Sequence, residues 1–265
     1  MLFPIGDDNQ GRLTTPFVVY AIIAVNVLVF LLLQQAMMTP RGEYFTSGYA
    51  VVPLEITTGT DLQEPVILRS DSADARGRAE PRAVQIPQAP GPSPIYLTLL
   101  TAMFMHGGWM HIIGNMLYLW IFGDNIEDNF GHGKFAIFYF ICGLAASLAQ
   151  IAVDPRSPVP SLGASGAIAG VLGAYLVMFP RNRVRNIVFL GFLITTIELP
   201  AIVVLGFWIV IQIFSQYTAS FSPSTHSGGV AYMAHIGGFV TGLLLSFIFR
   251  NRQTRRTQPP FYEPY

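Results

Sequence analysis

Gly163-Ala164-Ser165-Gly166-Ala167-Ile168-Ala169-Gly170 opens an apolar run that continues to Met178 and Phe179. A serine set between glycines at the mouth of a hydrophobic segment has two readings. One is a helix N-cap, a common role for serine ahead of such a run. The other is a nucleophile. A helix start presents unpaired backbone N–H groups and the positive end of a dipole, both suited to a developing oxyanion. Glycines at 163 and 166 would let the backbone approach a bound chain closely. The stretch is not a Gly-x-Ser-x-Gly nucleophile elbow, because Ala167 holds the last position and no strand-turn-helix pattern surrounds it.

The rest of the chain reads as membrane material. Of 265 residues, 52% are hydrophobic and only 11% charged, against about 25% charged in soluble domains. Charges this sparse cannot cover a globular surface, which predicts a polytopic membrane protein. The net charge is zero, so no global field points to nucleic acid. The single cysteine, Cys142, lies in an apolar run; it excludes an internal disulfide and reads as a buried structural thiol. The first apolar run is too long for a cleavable signal peptide and reads as a retained helix.

Taken in order, the apolar segments predict six spans. Thr15-Pro16 reads as a helix start, with threonine as cap and proline in the first turn. The first span runs from Phe17 to about Met37, interrupted mainly by Asn26. Residues 39–95 are rich in proline, acids and arginine, which predicts a long, partly disordered loop with a more apolar part from Tyr44 to Ile56. The second apolar region is Tyr96 to Phe122. Its early part, interrupted at His106-Gly107-Gly108, predicts a loop dipping into the membrane where protein can bury it. Gly123 to Asp128 reads as a polar turn. The third span is Phe135 to Ala152, with small residues from Gly143 to Ser147. The fourth runs from Ser165 to Pro180, the fifth from Pro200 to Ser215, and the sixth from Val230 to Phe249. Ile187 to Ile197 fits either an interfacial segment or the start of the fifth span. Residues 251–265 form a short basic tail.

Arginine placement sets the orientation. Arg181, Arg183 and Arg185 follow the fourth span, and Arg250, Arg252, Arg255 and Arg256 follow the sixth; Arg12 precedes the first. The positive-inside rule puts that side and both termini in the cytoplasm, with the 39–95 loop outside. The expected setting is a multi-pass protein of a bacterial-type plasma membrane, forming one membrane-embedded domain over 1–265. Ser165 then starts a helix running inward from the outer side.

Two other stretches carry groups able to work with Ser165. His235, in Ala234-His235-Ile236-Gly237-Gly238, lies inside the last span. An ionisable residue there is costly and is by default a functional candidate, although a neutral histidine bonded between helices is the plain alternative. Helical spacing aligns Ala231, His235, Gly238 and Gly242 on one face. In the fourth span Ser165, Ala169 and Gly173 form one small row and Gly166, Gly170 and Ala174 another. Small faces pack backbone to backbone, bringing His235 toward Ser165, and a serine beside an imidazole is an activated nucleophile. No intramembrane acid is placed to complete a triad, so the reading is a dyad. His111 and Asn115 are four apart and share a helical face; structural hydrogen bonding, metal ligation and oxyanion binding all remain open to them. The metal case is weak, because no His-Glu-x-x-His occurs. His106 reads as a brace for the dipping loop, and His132 and His226 as surface residues.

Together, His111-x-x-x-Asn115, Gly163-Ala164-Ser165-Gly166 and Ala234-His235-x-x-Gly238-x-x-x-Gly242 resemble the rhomboid family of intramembrane serine proteases. The resemblance covers roughly residues 97–250 and implies an all-α, six-transmembrane-helix bundle. It further implies Ser165 as nucleophile and His235 as general base. The oxyanion hole would come from His111, Asn115 and the Ser165 N–H, with structural support from His106, Gly163, Gly166, Gly238 and Gly242. Single-span membrane proteins would be the substrates, entering laterally from the bilayer, with no cofactor or metal. In one respect the chain departs from well-studied relatives. They carry tyrosine four residues after the serine, stacked on the histidine, and here that position is Ala169. Packing or another ring must orient His235.

Two rivals make different demands. A non-cleaving, client-binding relative would have no need of an intact Ser165 and His235. A channel or transporter predicts inverted repeats and charged midplane residues, which the sequence lacks. An intramembrane aspartyl protease needs two aspartates in separate spans, and Asp124 has no such partner.

Overall fold

The structure is a computed structural model that describes residues 2–9, 11–73, 79–190, 193–220 and 230–251. His226, Arg252, Arg255, Arg256 and the rest of the basic tail lie outside the described residues. The fold is mostly helical, with elements β1 (Leu2–Asp7), α1 (Phe17–Leu28), α2 (Pro40–Tyr49), α3 (Pro53–Thr58), β2 (Val66–Ala73), β3 (Ala79–Ile86), α4 (Thr98–Thr101), α5 (Trp109–Phe130), α6 (His132–Val153), α7 (Ser165–Met178), β4 (Arg183–Leu190), β5 (Leu193–Pro200), α8 (Ala201–Ala219) and α9 (Tyr232–Phe249). The expectation of an all-α chain is corrected by its strands. β1, β4 and β5 form one antiparallel sheet, and β2 and β3 a separate hairpin.

Three helices, α6, α8 and α9, are each long and apolar enough to cross a bilayer. α1 and α7 are shorter apolar helices. α5 has 22 residues but carries Asp124, Glu127 and Asp128 near its end. α7 is the central helix: every residue from Gly166 to Tyr175 is buried. Its 14 residues rise only about 21 Å, short of the roughly 30 Å hydrocarbon thickness. A helix this short is tolerable where other helices cover it rather than lipid.

The small residues explain the centre. A methyl group added at Gly238 would lie 2.0 Å from the Gly166 carbonyl oxygen, and one at Gly242 would lie 1.9 Å from the Gly170 carbonyl oxygen. At Gly173 it would meet the Phe239 carbonyl oxygen at 2.1 Å. α7 and α9 therefore pack backbone against backbone, as their glycine spacing predicts. Cys142 of α6, fully buried, fills the space over Gly170.

The polar stretch after Phe122 is helix rather than turn, because each side chain there finds a partner. Arg12 pairs with Asp124 at 2.5 Å. Asn125 donates to Asp7 at 2.9 Å and to Asn9 at 2.8 Å. Asp128 accepts from the Thr14 backbone and hydroxyl. Thr15 does not cap α1: the cap position is Pro16, with no side-chain bond of its own. The fully buried Glu127 does so from α5, accepting the Val18 and Val19 N–H groups at 2.9 and 2.7 Å. His132, read as an ordinary surface residue, pairs with the same carboxylate at 2.6 Å.

Residues 187–190 and 193–197, left ambiguous by their apolarity, are strand. β4 pairs with β1 on one side and β5 on the other, beyond the end of α7. The 39–95 segment carries regular structure in α2, α3 and the β2–β3 hairpin. It also touches the loop leading into Ser165. Val51 and Ser161 exchange both backbone hydrogen bonds, at 2.9 and 2.7 Å, and Leu54 N–H donates to the Ser157 carbonyl. Gln88 reaches the Pro158 carbonyl at 2.6 Å.

Candidate active site

Ser165 is the first residue of α7, and the cap position is Ala164. The serine therefore stands inside the helix rather than at its cap, and the plain N-cap reading does not account for it. Gly163 precedes the helix at φ +129°, a region that only glycine occupies without strain. A methyl group there would sit 3.0 Å from His111 Cε1 and Nε2 and 3.5 Å from Ser165 Oγ. The His111 imidazole and the serine hydroxyl thus border the same point beside the chain.

The four residues singled out from the sequence for nucleophile, base and oxyanion hole meet at one open cavity of about 950 Å³. Ser165, His235, His111 and Asn115 all line its wall, as do Ala169 and Trp208. They come from four helices. α7 supplies the serine, α9 the histidine, α5 the pair His111 and Asn115 one turn apart, and α8 the indole. Ser165 and His235 make no direct hydrogen bond to each other, which is common in a site without substrate, where such bonds tighten only on binding.

Each of the two cavity imidazoles has a hydrogen-bond partner on its Nδ1. The Gly107 N–H donates to His111 Nδ1 at 3.2 Å, so the proton of a neutral His111 ring sits on Nε2, the nitrogen beside Gly163. Asn115 Nδ2 is buried and has no partner, an unpaired donor beside a serine. His235 Nδ1 lies 2.8 Å from Gln212 Oε1 of α8. The Trp208 ring, one turn earlier on α8, lies 5.8 Å from the imidazole at 38°. α9 itself starts under Gln150 of α6, whose Oε1 accepts the Ala234 N–H at 3.2 Å.

His106 is fully buried outside the cavity wall, ring to ring with His111 at 5.1 Å. Its peptide is held by the Gln34 side chain, which accepts from the His106 N–H at 2.9 Å and donates to its carbonyl at 3.0 Å. Among the predicted supporting glycines, Gly166, Gly238 and Gly242 lie in the α7–α9 contact and Gly163 beside His111. The sequence reading passed over Gln34, Gln150 and Gln212. Each is an isolated amide in or beside an apolar segment, and in a membrane such an amide must find a partner. That was the available signal.

Compared with known proteins, residues 94–252 match the Rhomboid domain family, which is 60% of the chain and includes every cavity residue named above. This chain belongs to the rhomboid family. It is 30% identical over 166 residues to RHOMBOID-like protein 5 of Arabidopsis thaliana, covering 63% of this chain and 48% of that protein. Over 147 residues it is 36% identical to Rhomboid protease GluP of Bacillus subtilis (strain 168), covering 56% of this chain and 25% of that protein. Over 166 residues it is 27% identical to Rhomboid protein 1, mitochondrial, of Saccharomyces cerevisiae, covering 61% and 44%. The matched segment spans about half of these relatives' length or less. Family membership and the apolar helices make this rhomboid an integral membrane protein. Its relatives include mitochondrial and chloroplastic proteins, so membership does not single out a bacterial plasma membrane, as the sequence reading had expected.

Proposed function

We propose that this rhomboid is an intramembrane serine endopeptidase acting on single-span membrane proteins. One observation carries the reading: Ser165, His235, His111 and Asn115 converge on a single cavity from three helices, with an unpaired buried amide donor among them.

The chemistry follows from the positions. Ser165 Oγ attacks the scissile carbonyl carbon while its proton passes to His235 Nε2. The carbonyl oxygen becomes an oxyanion held by His111 Nε2–H, Asn115 Nδ2–H and the Ser165 backbone N–H, which has no intrahelical partner in the first turn. Collapse breaks the C–N bond, and the proton on Nε2 goes to the departing amine. Water then attacks the acyl-serine with the imidazole again as base. The open cavity that Ser165 lines supplies that water. A substrate helix must present an extended segment there, which small or helix-breaking residues make easier.

The topology we propose has six spans, α1, α5, α6, α7, α8 and α9, with both termini cytoplasmic. Support comes from the alternating helix directions and from Arg12, Arg181, Arg183, Arg185 and Arg250, all at the end opposite Ser165.

The test is cleavage of a single-span reporter by the purified chain in liposomes, beside Ser165→Ala and His235→Ala. Loss of cleavage in both variants, with unchanged thermal unfolding, is the expected result. Cleavage that survives Ser165→Ala rejects the assignment of the nucleophile. Absence of cleavage by every form across several reporters favours client binding instead.

A further inference from the structure

We infer that Gln212 of α8 is the third member of the catalytic arrangement: a positioning residue whose side-chain oxygen accepts the His235 Nδ1 proton and leaves Nε2 free to act as base, with Trp208 holding the ring plane. The inference rests on the protease reading above and deepens it.

The geometry starts from what is missing. Ala169 of α7, which shares the cavity wall with His235, has no ring to offer it, and no acid lies within hydrogen-bond reach of the imidazole among the described residues. A neutral imidazole has two tautomers, and only the one protonated at Nδ1 offers a lone pair at Nε2. Something must select it. Gln212 Oε1 sits 2.8 Å from Nδ1, a good distance for an N–H···O bond. Gln212 is only 8% exposed and lies between Ile211 and Ile213 in an apolar helix. A buried amide there is costly unless it is bonded, so the contact is strongly favoured once formed.

Trp208 completes the arrangement. It is four residues before Gln212 on the same face of α8, 5.8 Å from the His235 ring and 6.1 Å from Phe239. The indole thus packs beside the imidazole from α8, tilted by 38°. When Ser165 gives up its proton to Nε2, the Nδ1–H bond to Gln212 persists and the amide oxygen stabilises the new positive charge. The charge then leaves with the proton delivered to the amine. An amide cannot take the Nδ1 proton itself, so it orients and stabilises without acting as a base.

The alternative orientation of the Gln212 amide would donate its N–H to Nδ1, place the ring proton on Nε2 and make His235 useless as a base. The ¹⁵N shifts of the imidazole distinguish the two directly. The full-length chain, labelled at histidine and assigned by loss of signal in His235→Ala, is expected to show His235 protonated at Nδ1. Protonation at Nε2 in the wild type overturns the inference without any position 212 variant having to fold.

Kinetics give the second readout. Gln212→Leu keeps the volume and removes the acceptor; kcat is expected to fall by about tenfold or more, with KM nearly unchanged. Gln212→Glu keeps an oxygen in place and is expected to recover a large part of that loss. Unchanged kcat in Gln212→Leu, or equal loss in both variants with the Nδ1 tautomer retained, overturns the positioning role. Those results leave the protease reading standing, because that reading fails only if Ser165→Ala or His235→Ala still cleaves or if no form cleaves any reporter.

Discussion

Gly238 faces Gly166 so closely that a methyl group on it would lie 2.0 Å from the Gly166 carbonyl oxygen. The atom in the way is backbone, so it cannot swing aside. Gly238→Ala is expected to separate α7 from α9 and cost at least about 2 kcal/mol. Gly206 of α8 has open space where a methyl would go, so Gly206→Ala is expected to be neutral or to stabilise by up to about 1 kcal/mol. Thermal unfolding in detergent compares the two. Equal stability of both variants would refute the backbone contact.

Gly163 makes a sharper claim about activity. A methyl group there would strain a φ of +129° and press on the His111 ring at 3.0 Å. Gly163→Ala is therefore expected to lower kcat in the manner of an oxyanion-donor loss. For Asn115→Ala itself that loss is expected to be about a hundred- to a thousand-fold. Steady-state cleavage rates with the reporter decide it. A Gly163→Ala enzyme with normal kcat would separate His111 from the chemistry.

Glu127 sits in the last turn of α5, where the helix dipole disfavours a negative charge. It is placed there by the start of α1, whose Val18 and Val19 N–H groups bind its two oxygens. Glu127→Ala strands both donors in a buried setting and is expected to destabilise the protein by about 3 kcal/mol. Glu127→Gln, retaining one acceptor, is expected to lose less. Chemical denaturation of the two variants provides the ranking, and the reverse order would contradict the capping role.

Asp7 gives the fold a pH dependence. Burial, reinforced by the charges of Asp124 and Asp8, pushes its carboxyl from 3.8 up to about 7, against the hydrogen bonds it receives from Tyr175 and Asn125. Glu55, outside the bundle and 3% exposed, moves the same way, to about 7, through burial and the charge of Asp61. Both groups hold their protons in the fold at pH values where the unfolded chain has lost them. Their contribution to stability is therefore fully present at acid pH, falls as pH rises toward about 7 and is constant above that. Unfolding midpoints near about pH 5 and about pH 8 should differ in the wild type and converge in Asp7→Asn with Glu55→Gln. A wild type more stable at the higher pH, with the double variant behaving alike, would contradict this.

Much of this was legible before any coordinates. The low charge content and the apolar runs announced a membrane chain, and the glycine rows of α7 and α9 announced their close packing. Glycine spacing is informative because nothing but a neighbouring backbone rewards the absence of a side chain so consistently. Local reading failed where a polar residue's partner lay far along the chain. Gly123 to Asp128 looked like a turn because six residues of mostly polar character have no local reason to stay helical. Asp7, Asn9, Arg12, Thr14 and the start of α1 provide that reason from more than a hundred positions away. The hairpin β4–β5 was ambiguous for a related cause, since its apolar residues fit a span as well as a strand until β1 arrives to pair with it.

The sequence alone determined the environment and the residue types: a membrane-embedded chain carrying one serine box, a histidine in the last span and a His111–Asn115 pair. Those follow from composition and helical period, which are local properties. Only the tertiary structure decided who aims whom. Gln212 against His235, Gly107 against His111 and Gln34 against the His106 peptide are contacts between elements; apart from the four-residue step from Gly107 to His111, no spacing in the chain encodes them. A buried donor or acceptor must be satisfied, but the chain states only that the group exists. Packing chooses its partner.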